Sequence, residues 1–439
     1  MSASKCLMII LDGLGDRQFA ELDGQTPLQA ARTPNLDCLA ASGGNGMFHA
    51  GFSGQPMPSE NAHFALFGYP QELFPGRGPL EALGAGIQLY EGQVAVLAHL
   101  VSASSQQGAL FVEQDMPAGL TVRETEEIFN LVGSFEHQEL EIRLQQTKGL
   151  FGVLTLQGPA SALITDSNPM RSQAFASNVL PLEEARGEPR AEKTAEAIRA
   201  YLSWSYQRLD QSKLNSERRQ AGLAPVNGLV TQRAGPMAAV PDFTARTSLK
   251  GLSLVSGTMF RGLAKLIGLQ TAEIGKQKDV QADLTARLDL ARSSLAEYDF
   301  IHVHCKAPDE AAHTKDCLAK RDVICALDRA LEPYMQLLSL DSDVLTVIAA
   351  DHSTPSLGPL VHSGEPVPVL MRGKNIRRDQ VSAYHELAAC CGSLGPIRGM
   401  EMMYIILNAL DRAKMCGIQE VPHKRLFWPG PAPLLRLEE

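Results

Sequence analysis

The stretch DVLTVIAADHSTPSLGPLVHSGEPVP, Asp343 to Pro368, decides the fold class of this 439-residue chain. Its first part, Val344 to Ala350, is a run of β-branched and small apolar residues, which indicates a strand buried on both faces. The run ends on Asp351 and His352, and His362 follows in a loop rich in glycine and proline. A buried strand has no structural need for two polar residues at its end, so these side chains are candidates for binding a ligand.

Two further apolar runs, Cys6 to Leu11 and Phe300 to Val303, have the same character. Continuous rather than alternating apolar residues indicate parallel strands with helices on both faces of the sheet. Helical patterns occur in AKRDVICALDRALEPYMQLL (319–338) and GMEMMYIILNALDRA (399–413). We therefore predict an α/β core in which a mostly parallel sheet is flanked by helices.

The middle of the chain has a different pattern. Strand-like pieces are shorter there, as at 93–101, and a charged segment at 182–222 carries apolar residues at helical spacing. We predict a smaller inserted domain of the α/β (α+β) type, because core-like patterning resumes after it. The predicted limits are 91–244 for the inserted domain, and 1–90 together with 245–439 for a discontinuous core.

Composition excludes several classes of protein. The chain is 44% apolar and 20% charged, which is typical of globular proteins. Its eight cysteines have no paired CxxC spacing, and no apolar run is long enough for a signal peptide or a membrane span, so we predict a cytoplasmic protein without membrane contact. A net charge of −9 argues against a nucleic-acid partner. A homo-oligomer is compatible with this composition.

Acids and histidines follow all three apolar runs. Asp12 ends the first, Asp309 and His313 follow the second four residues apart, and Asp351 and His352 end the third. The carboxyl ends of strands in an open parallel sheet line one crevice, so these side chains should converge. Carboxylate and neutral imidazole are ligands for Zn²⁺ or Mn²⁺, and their number is sufficient for two ions.

Each residue also has an ordinary interpretation. Asp12 before Gly13 is typical of a turn. Asp309 and His313 alone could be an acid at a helix N-terminus and a surface histidine. A dinucleotide site is not supported, because DGLGDR lacks the third glycine of that fingerprint.

Six segments resemble the signature segments of the archaeal-type, cofactor-independent (2,3-bisphosphoglycerate-independent) phosphoglycerate mutases of the alkaline phosphatase superfamily. They occur in family order and cover most of the first 90 residues and of 300–372. The segments are LDGLGDR (11–17), TPLQAARTPNLDCLAASG (26–43), MPSENAHFALFGYP (57–70), GRGPLEALGAGI (76–87), KAPDEAAHTKDCLAKRDVICALD (306–328) and DHSTPSLGPLVHSGEPVPVL (351–370).

The resemblance implies an alkaline-phosphatase-like core, an inserted phosphotransferase domain, and two divalent metal ions, with Mn²⁺ or Zn²⁺ first and Co²⁺ next. It implies no requirement for 2,3-bisphosphoglycerate. Ser59 matches the serine nucleophile, and Lys306 matches a family lysine beside the metal motif. By position, one metal would be held by Asp12, Ser59, Asp351 and His352, and the other by Asp309, His313 and His362.

The resemblance is partial in the inserted domain. Asp166 and Arg171 in TDSNPMR (165–171), and Arg233 in NGLVTQRAG (227–235), resemble residues that hold the carboxylate and hydroxyls of phosphoglycerate. Arginines that the family usually has are missing near three positions, where a compact anionic substrate would need them. These positions are Leu97, Leu120 and Phe151.

The expected function is therefore metal-dependent phosphoryl transfer through a phosphoserine, interconverting 3-phosphoglycerate and 2-phosphoglycerate. The partner is then a small phosphorylated metabolite. The missing arginines leave open a phosphatase, or a phosphotransferase acting on another small phosphorylated or phosphonate metabolite. A non-catalytic binding protein is the third alternative, and it is disfavoured because all seven ligand and nucleophile positions hold chemically competent residues.

Overall fold

The computed structural model describes residues 4–275, 277–341 and 343–437. The strands in these residues are β1 (Lys5–Leu11), β2 (Gly44–His49), β3 (Val94–Gln106), β4 (Ala109–Gln114), β5 (Ser134–His137), β6 (Leu140–Lys148), β7 (Phe151–Gln157), β8 (Ala174–Phe175), β9 (Gly228–Pro236), β10 (Gly251–Val255), β11 (Gln270–Glu273), β12 (Phe300–Cys305), β13 (Val344–Ala349), β14 (Val367–Arg372) and β15 (Gly395–Arg398).

The helices in the same residues are α1 (Pro27–Ala30), α2 (Pro34–Ser42), α3 (Ser59–Leu66), α4 (Arg77–Ala85), α5 (Val122–Leu131), α6 (Pro189–Asp210), α7 (Lys213–Gln220), α8 (Phe243–Thr247), α9 (Thr258–Leu266), α10 (Val280–Ser294), α11 (Ala307–His313), α12 (Cys317–Leu331), α13 (Met335–Leu340), α14 (Glu386–Ala389) and α15 (Glu401–Ala409). Short 3₁₀ turns cover Ala20–Leu22, Gln71–Leu73, Glu183–Ala185 and Glu332–Tyr334.

The chain divides into two compact units. Unit 1 comprises Met1–Phe74, Val240–Ser256 and Ala264–Glu439, and unit 2 comprises Pro75–Ala239 and Gly257–Leu263. The domain limits expected from the sequence, at residues 91 and 244, stay a prediction.

Unit 1 contains an eight-stranded sheet with the order β11-β10-β12-β1-β13-β14-β2-β15. All neighbouring pairs are parallel except the two that β14 makes. Successive strand residues point to opposite faces. Every residue from Cys6 to Leu11 is buried, so both faces of the sheet are covered at its centre. The prediction of an α/β core with a mostly parallel sheet is confirmed.

One predicted helix is divided into two. The segment expected to be helical at 319–338 forms α12, the 3₁₀ turn Glu332–Tyr334, and α13. Pro333 lies in the turn, where a proline removes an intrahelical hydrogen bond and crowds the preceding carbonyl. Asp316 is the N-cap of α12, and its carboxylate accepts hydrogen bonds from the N–H groups of Leu318 and Ala319.

Unit 2 is built on an antiparallel sheet with the order β5-β6-β7-β3-β4-β8, and β9 pairs with β3. In the core of unit 2, alternate residues of β3, β6 and β7 pack against the buried apolar residues of α5 and α6. Among the described residues, no helix of either unit has both the length and the apolar character that crossing a membrane requires.

Candidate functional site

The acids and histidines at the ends of the three central strands lie together in unit 1. β1 pairs in parallel with both β12 and β13, and Leu11 is in register with Cys305, as Ile10 is with Ala349. The three strands therefore end at one edge of the sheet. Asp12 follows β1 directly, Asp351 and His352 follow β13 after Ala350, and Asp309 and His313 lie on α11, the helix after β12.

The first group contains Asp12, Asp351 and His352, whose candidate ligand atoms all lie within 4.8 Å of one another. His352 Nε2 is 3.4 Å from Asp12 Oδ1 and 3.2 Å from Asp351 Oδ2. Ser59 is the first residue of α3, and its Oγ is 2.8 Å from the same Nε2. All four residues assigned to the first metal thus come together, and all are buried.

The second group contains Asp309, His352 and His362, again within 4.8 Å. Asp309 Oδ1 is 3.2 Å from His313 Nε2 and 3.6 Å from His362 Nε2. His352 therefore lies within reach of both groups, whereas the sequence assigned it to one. Its ring stacks on that of His362 at a centroid distance of 3.7 Å.

The electrostatics of this cluster suit divalent cations. Asp12 Oδ1 and Asp351 Oδ2 are buried and accept no hydrogen bond among the described residues, which is costly for carboxylate oxygens. Burial, followed by the neighbouring carboxylates of Asp351 and Asp309, raises the pKa of Asp12 well above its usual value. Burial lowers the pKa of His352 to about 4, so its ring is neutral at neutral pH and can offer a lone pair. Buried acids together with an imidazole that is neutral at neutral pH form a donor set that fits transition metals.

Two histidines outside the assigned ligand sets support these side chains. His304 Nε2 is 2.9 Å from Asp12 Oδ2, and His304 is buried on β12. His63, one helical turn after Ser59, places Nδ1 2.9 Å from the Ser59 carbonyl and 3.4 Å from Asp351 Oδ2. The i, i+4 spacing of Ser59 and His63 in α3 is the sequence signal that could have identified the latter.

Gly13 has a specific structural role at the first strand end. Its φ of +66° lies in the left-handed region, and an added Cβ would lie 2.8 Å from Asp309 Cβ and 2.5 Å from Thr354 Oγ1. Its N–H donates to Asp351 Oδ1 at 3.0 Å. A glycine therefore allows the loop after β1 to lie close to Asp309 and Thr354.

Lys306 lies at the start of α11, with its Nζ 3.5 Å from Asp309 Oδ2 and its side chain 42% exposed. Lys306 is thus a partly exposed cation at the margin of the cluster, where it contacts the carboxylate of Asp309. Its catalytic role stays a prediction.

The three substrate residues expected from the sequence belong to unit 2. The backbone N–H of Arg233 donates to Asp166 Oδ1 at 2.7 Å, which brings these two residues together. Arg233 has a φ of +54° and occupies an irregularity in the pairing of β9 with β3. Arg171 is exposed, and it follows Met170, another residue with positive φ.

The Metalloenzyme superfamily profile matches residues 4–409. The chain is 36% identical to the 2,3-bisphosphoglycerate-independent phosphoglycerate mutase 2 of Methanocaldococcus jannaschii, with 97% of each chain covered. It is 34% identical to the corresponding mutase of Methanopyrus kandleri, over 94% of this chain and 98% of the relative.

Comparison with solved structures points to the same family as these relatives. The cofactor-independent phosphoglycerate mutase from Thermoplasma acidophilum superimposes with a TM-score of 0.63 at 29% identity, covering 92% of this chain and all of that one. A Pyrococcus horikoshii protein gives a TM-score of 0.76 at 27% identity, covering 95% and 100%. Because the matches extend over nearly the whole chain, the chain belongs to the 2,3-bisphosphoglycerate-independent phosphoglycerate mutase family of the metalloenzyme superfamily.

Proposed function

We propose that this chain interconverts 3-phosphoglycerate and 2-phosphoglycerate by passing the phosphoryl group through Ser59. Family membership supports this activity. The observation that carries the mechanism is the position of the Ser59 hydroxyl, which is buried at the N-terminus of α3 and 2.8 Å from His352 Nε2, beside Asp12 and Asp351.

We assign one divalent cation to Asp12, Ser59, Asp351 and His352, and a second to Asp309, His313 and His362. Mn²⁺ and Zn²⁺ suit this mixed oxygen and nitrogen set better than Mg²⁺ does, and Co²⁺ is the next candidate. Bound there, the cations would lower the pKa of the Ser59 hydroxyl and offset negative charge on the phosphoryl group. 2,3-Bisphosphoglycerate is not required, because Ser59 itself accepts the phosphoryl group.

The reaction then has two halves. Ser59 Oγ attacks phosphorus, the bond from phosphorus to the 3-oxygen breaks, and the serine proton ends on that oxygen as glycerate forms. The 2-hydroxyl then attacks phosphoserine, which restores the Ser59 hydroxyl and yields 2-phosphoglycerate. Between the halves, we assign the carboxylate and hydroxyl contacts to Asp166, Arg171 and Arg233. We place this activity in the cytoplasm, consistent with the free cysteines among the described residues.

A second candidate is a phosphatase or phosphotransferase for another small phosphorylated or phosphonate metabolite. It is favoured by Leu97, Leu120 and Phe151, the three positions near which arginines that the family usually has are missing from this chain. Leu97 packs against a small apolar cluster with Ala82, Ala95 and Val153. Leu120 packs against the main core of unit 2, and Phe151 is 43% exposed.

The deciding experiment is a product analysis with 3-phosphoglycerate. Protein loaded with Mn²⁺ or Zn²⁺ is incubated with the substrate, and phosphorus NMR separates 2-phosphoglycerate from inorganic phosphate. We expect 2-phosphoglycerate from the unaltered chain and neither product from Ser59→Ala. Cleavage of a generic phosphoester without formation of 2-phosphoglycerate would favour the second candidate instead.

A further inference from the structure

Lys320 is a completely buried lysine on α12 of unit 1. Its Nζ lies 2.9 Å from the Gly15 carbonyl, 2.9 Å from the Thr354 carbonyl and 3.0 Å from Asp16 Oδ2. An ammonium group has three N–H donors, so these three acceptors satisfy it completely.

Asp16 is equally enclosed, since neither its side chain nor that of Lys320 is exposed. Besides Lys320, its carboxylate accepts hydrogen bonds from the Ser356 hydroxyl at 2.6 Å and from the backbone N–H of Ser356 and of Arg17. The Asp16 N–H in turn donates to Glu386 Oε1 at 3.2 Å. The ion pair is therefore fully hydrogen-bonded within the protein.

Stability alone is a poor reason for such a pair. Removing two charges from water costs several kcal/mol for each ion, and apolar residues of similar volume often replace a buried pair without loss, or even with a gain, of stability. The groups joined by Lys320 suggest a different purpose. Gly15 is three residues after Asp12, and Thr354 is two residues after His352.

Both of these loops carry residues of the candidate metal centre, and Thr354 connects its two groups. The Thr354 hydroxyl donates to Asp309 Oδ1 at 2.8 Å and lies 3.1 Å from His352 Nδ1. The Thr354 N–H also donates to the Gly15 carbonyl at 3.0 Å. Lys320 therefore fixes the backbone of the residue whose side chain orients Asp309 and His352.

We propose that Lys320, held by Asp16, is a positioning residue that sets the spacing between the Asp12–Asp16 and Asp351–Ser356 loops and thereby the affinity of the centre for divalent cations. It does not touch the substrate. The inference rests on the proposed function, because it requires that the cluster binds metal.

The test measures metal binding directly, with Mn²⁺ as the titrant and metal-free protein as the starting material. Lys320→Met removes the ammonium group and leaves the Asp16 carboxylate buried without a cationic partner. The double variant Lys320→Met/Asp16→Leu removes both charges and should regain most of the lost thermal stability. Arg287→Met is the matched control, because Arg287 is a buried cation of unit 1 that pairs with Asp283 at 2.7 Å. Its other hydrogen bonds to described residues go to Leu254 and Ser256, which lie outside the Asp12–Asp16 and Asp351–Ser356 loops.

We expect the Mn²⁺ dissociation constant to rise by about 10- to 100-fold in both Lys320 variants, as is typical when partners of metal ligands are removed. Arg287→Met should lower the melting temperature of the metal-free protein but keep the affinity for Mn²⁺. Ser356→Ala, which removes one hydrogen bond to Asp16, is a milder variant that should weaken Mn²⁺ binding several-fold and remain folded even if the others do not.

The outcomes separate the inference from the proposed function. If the double variant, or Ser356→Ala where the double variant does not fold, binds Mn²⁺ as tightly as the unaltered chain, Lys320 and Asp16 are only structural and the inference is wrong. If the unaltered chain binds neither Mn²⁺, Zn²⁺ nor Co²⁺, the proposed function is overturned, and the inference with it.

Discussion

The candidate metal cluster of unit 1 and the proposed substrate residues of unit 2 differ in how their side chains are exposed. Asp12, Asp309 and Asp351 are at most 1% exposed and follow rigid strands. Asp166 and Arg171 are exposed, and Arg233 is half-buried at an irregular position of β9. Buried charges are costly unless a partner is supplied, whereas exposed ones cost little. The candidate metal ligands of unit 1 can therefore be recognised from their electrostatics, whereas the proposed substrate residues of unit 2 cannot.

The largest expected effect tests whether the buried cluster performs the chemistry. Ser59→Ala should lower turnover by more than about a thousandfold, because it removes the acceptor of the phosphoryl group, while the melting temperature stays nearly unchanged. Rapid quenching and mass spectrometry should find phosphate on Ser59 of the unaltered chain. Ser53→Ala, an exposed serine in the preceding loop, is the control and should keep full activity. Near-normal turnover of Ser59→Ala would show that the nucleophile lies elsewhere.

The second effect concerns the metals themselves. Chelation should abolish activity, and Mn²⁺, Zn²⁺ or Co²⁺ should restore it. His362→Ala should lower bound metal by about one equivalent and turnover by at least about a hundredfold, since even the partners of ligands contribute 10- to 100-fold. His352→Ala should lower metal content further, because that ring is within reach of both groups.

Elemental analysis of dialysed protein measures these losses. His423→Ala, an exposed histidine near the C-terminus, is the matched control and should retain full metal content. Full activity in a demonstrably metal-free preparation would refute the two-metal assignment.

A smaller effect is expected in unit 2. Arg233→Gly should raise KM for 3-phosphoglycerate by about 10- to 100-fold, because a charge-assisted contact contributes about 1.5 to 3 kcal/mol. It should also raise the free energy of unfolding by up to about 1 kcal/mol, since glycine adopts a φ of +54° without strain. Glycerate released early should appear together with inorganic phosphate.

Arg233→Ala provides the contrast, because it removes the same charge without relieving the backbone. Denaturant unfolding should give a higher free energy of unfolding for the glycine variant than for the alanine variant. The two variants should have a similar KM for 3-phosphoglycerate. If Arg233→Gly gains stability and keeps its KM, Arg233 does not contact the substrate.

The smallest effect separates the observed contact of Asp166 with the Arg233 backbone from its proposed contact with the substrate. Asp166→Asn retains an oxygen that can accept the Arg233 N–H, so the free energy of unfolding should change by less than about 0.5 kcal/mol. Asp166→Ala removes that acceptor and should cost about 1 kcal/mol. Equal KM in both variants and in the unaltered chain would limit Asp166 to holding the backbone of Arg233.

The same contrast explains how much the sequence could predict. β1, β12 and β13 were predictable because they are continuously apolar, and the polar residues after them were noticeable because they interrupt that pattern. The sheet of unit 2 was mostly missed, since a strand such as β6 alternates buried and exposed residues over charged and amide side chains. Lys320 was also missed, because one lysine on an amphipathic helix pattern is typical of a solvated face.

The position of β1 at the centre of the unit 1 sheet constrains how the chain is made. Its hydrogen-bonded neighbours are β12 and β13, and the Asp12–His304 contact joins residues 292 positions apart. Synthesis from the N-terminus therefore completes the 75–239 segment of unit 2 before either neighbour of β1 exists. A nascent chain therefore carries β1 as an unpaired apolar strand until β12 has been made, and an unpaired apolar strand is a hazard for aggregation. The candidate metal cluster can therefore assemble only after His362 has been made, when all the strands that carry its other residues are already present.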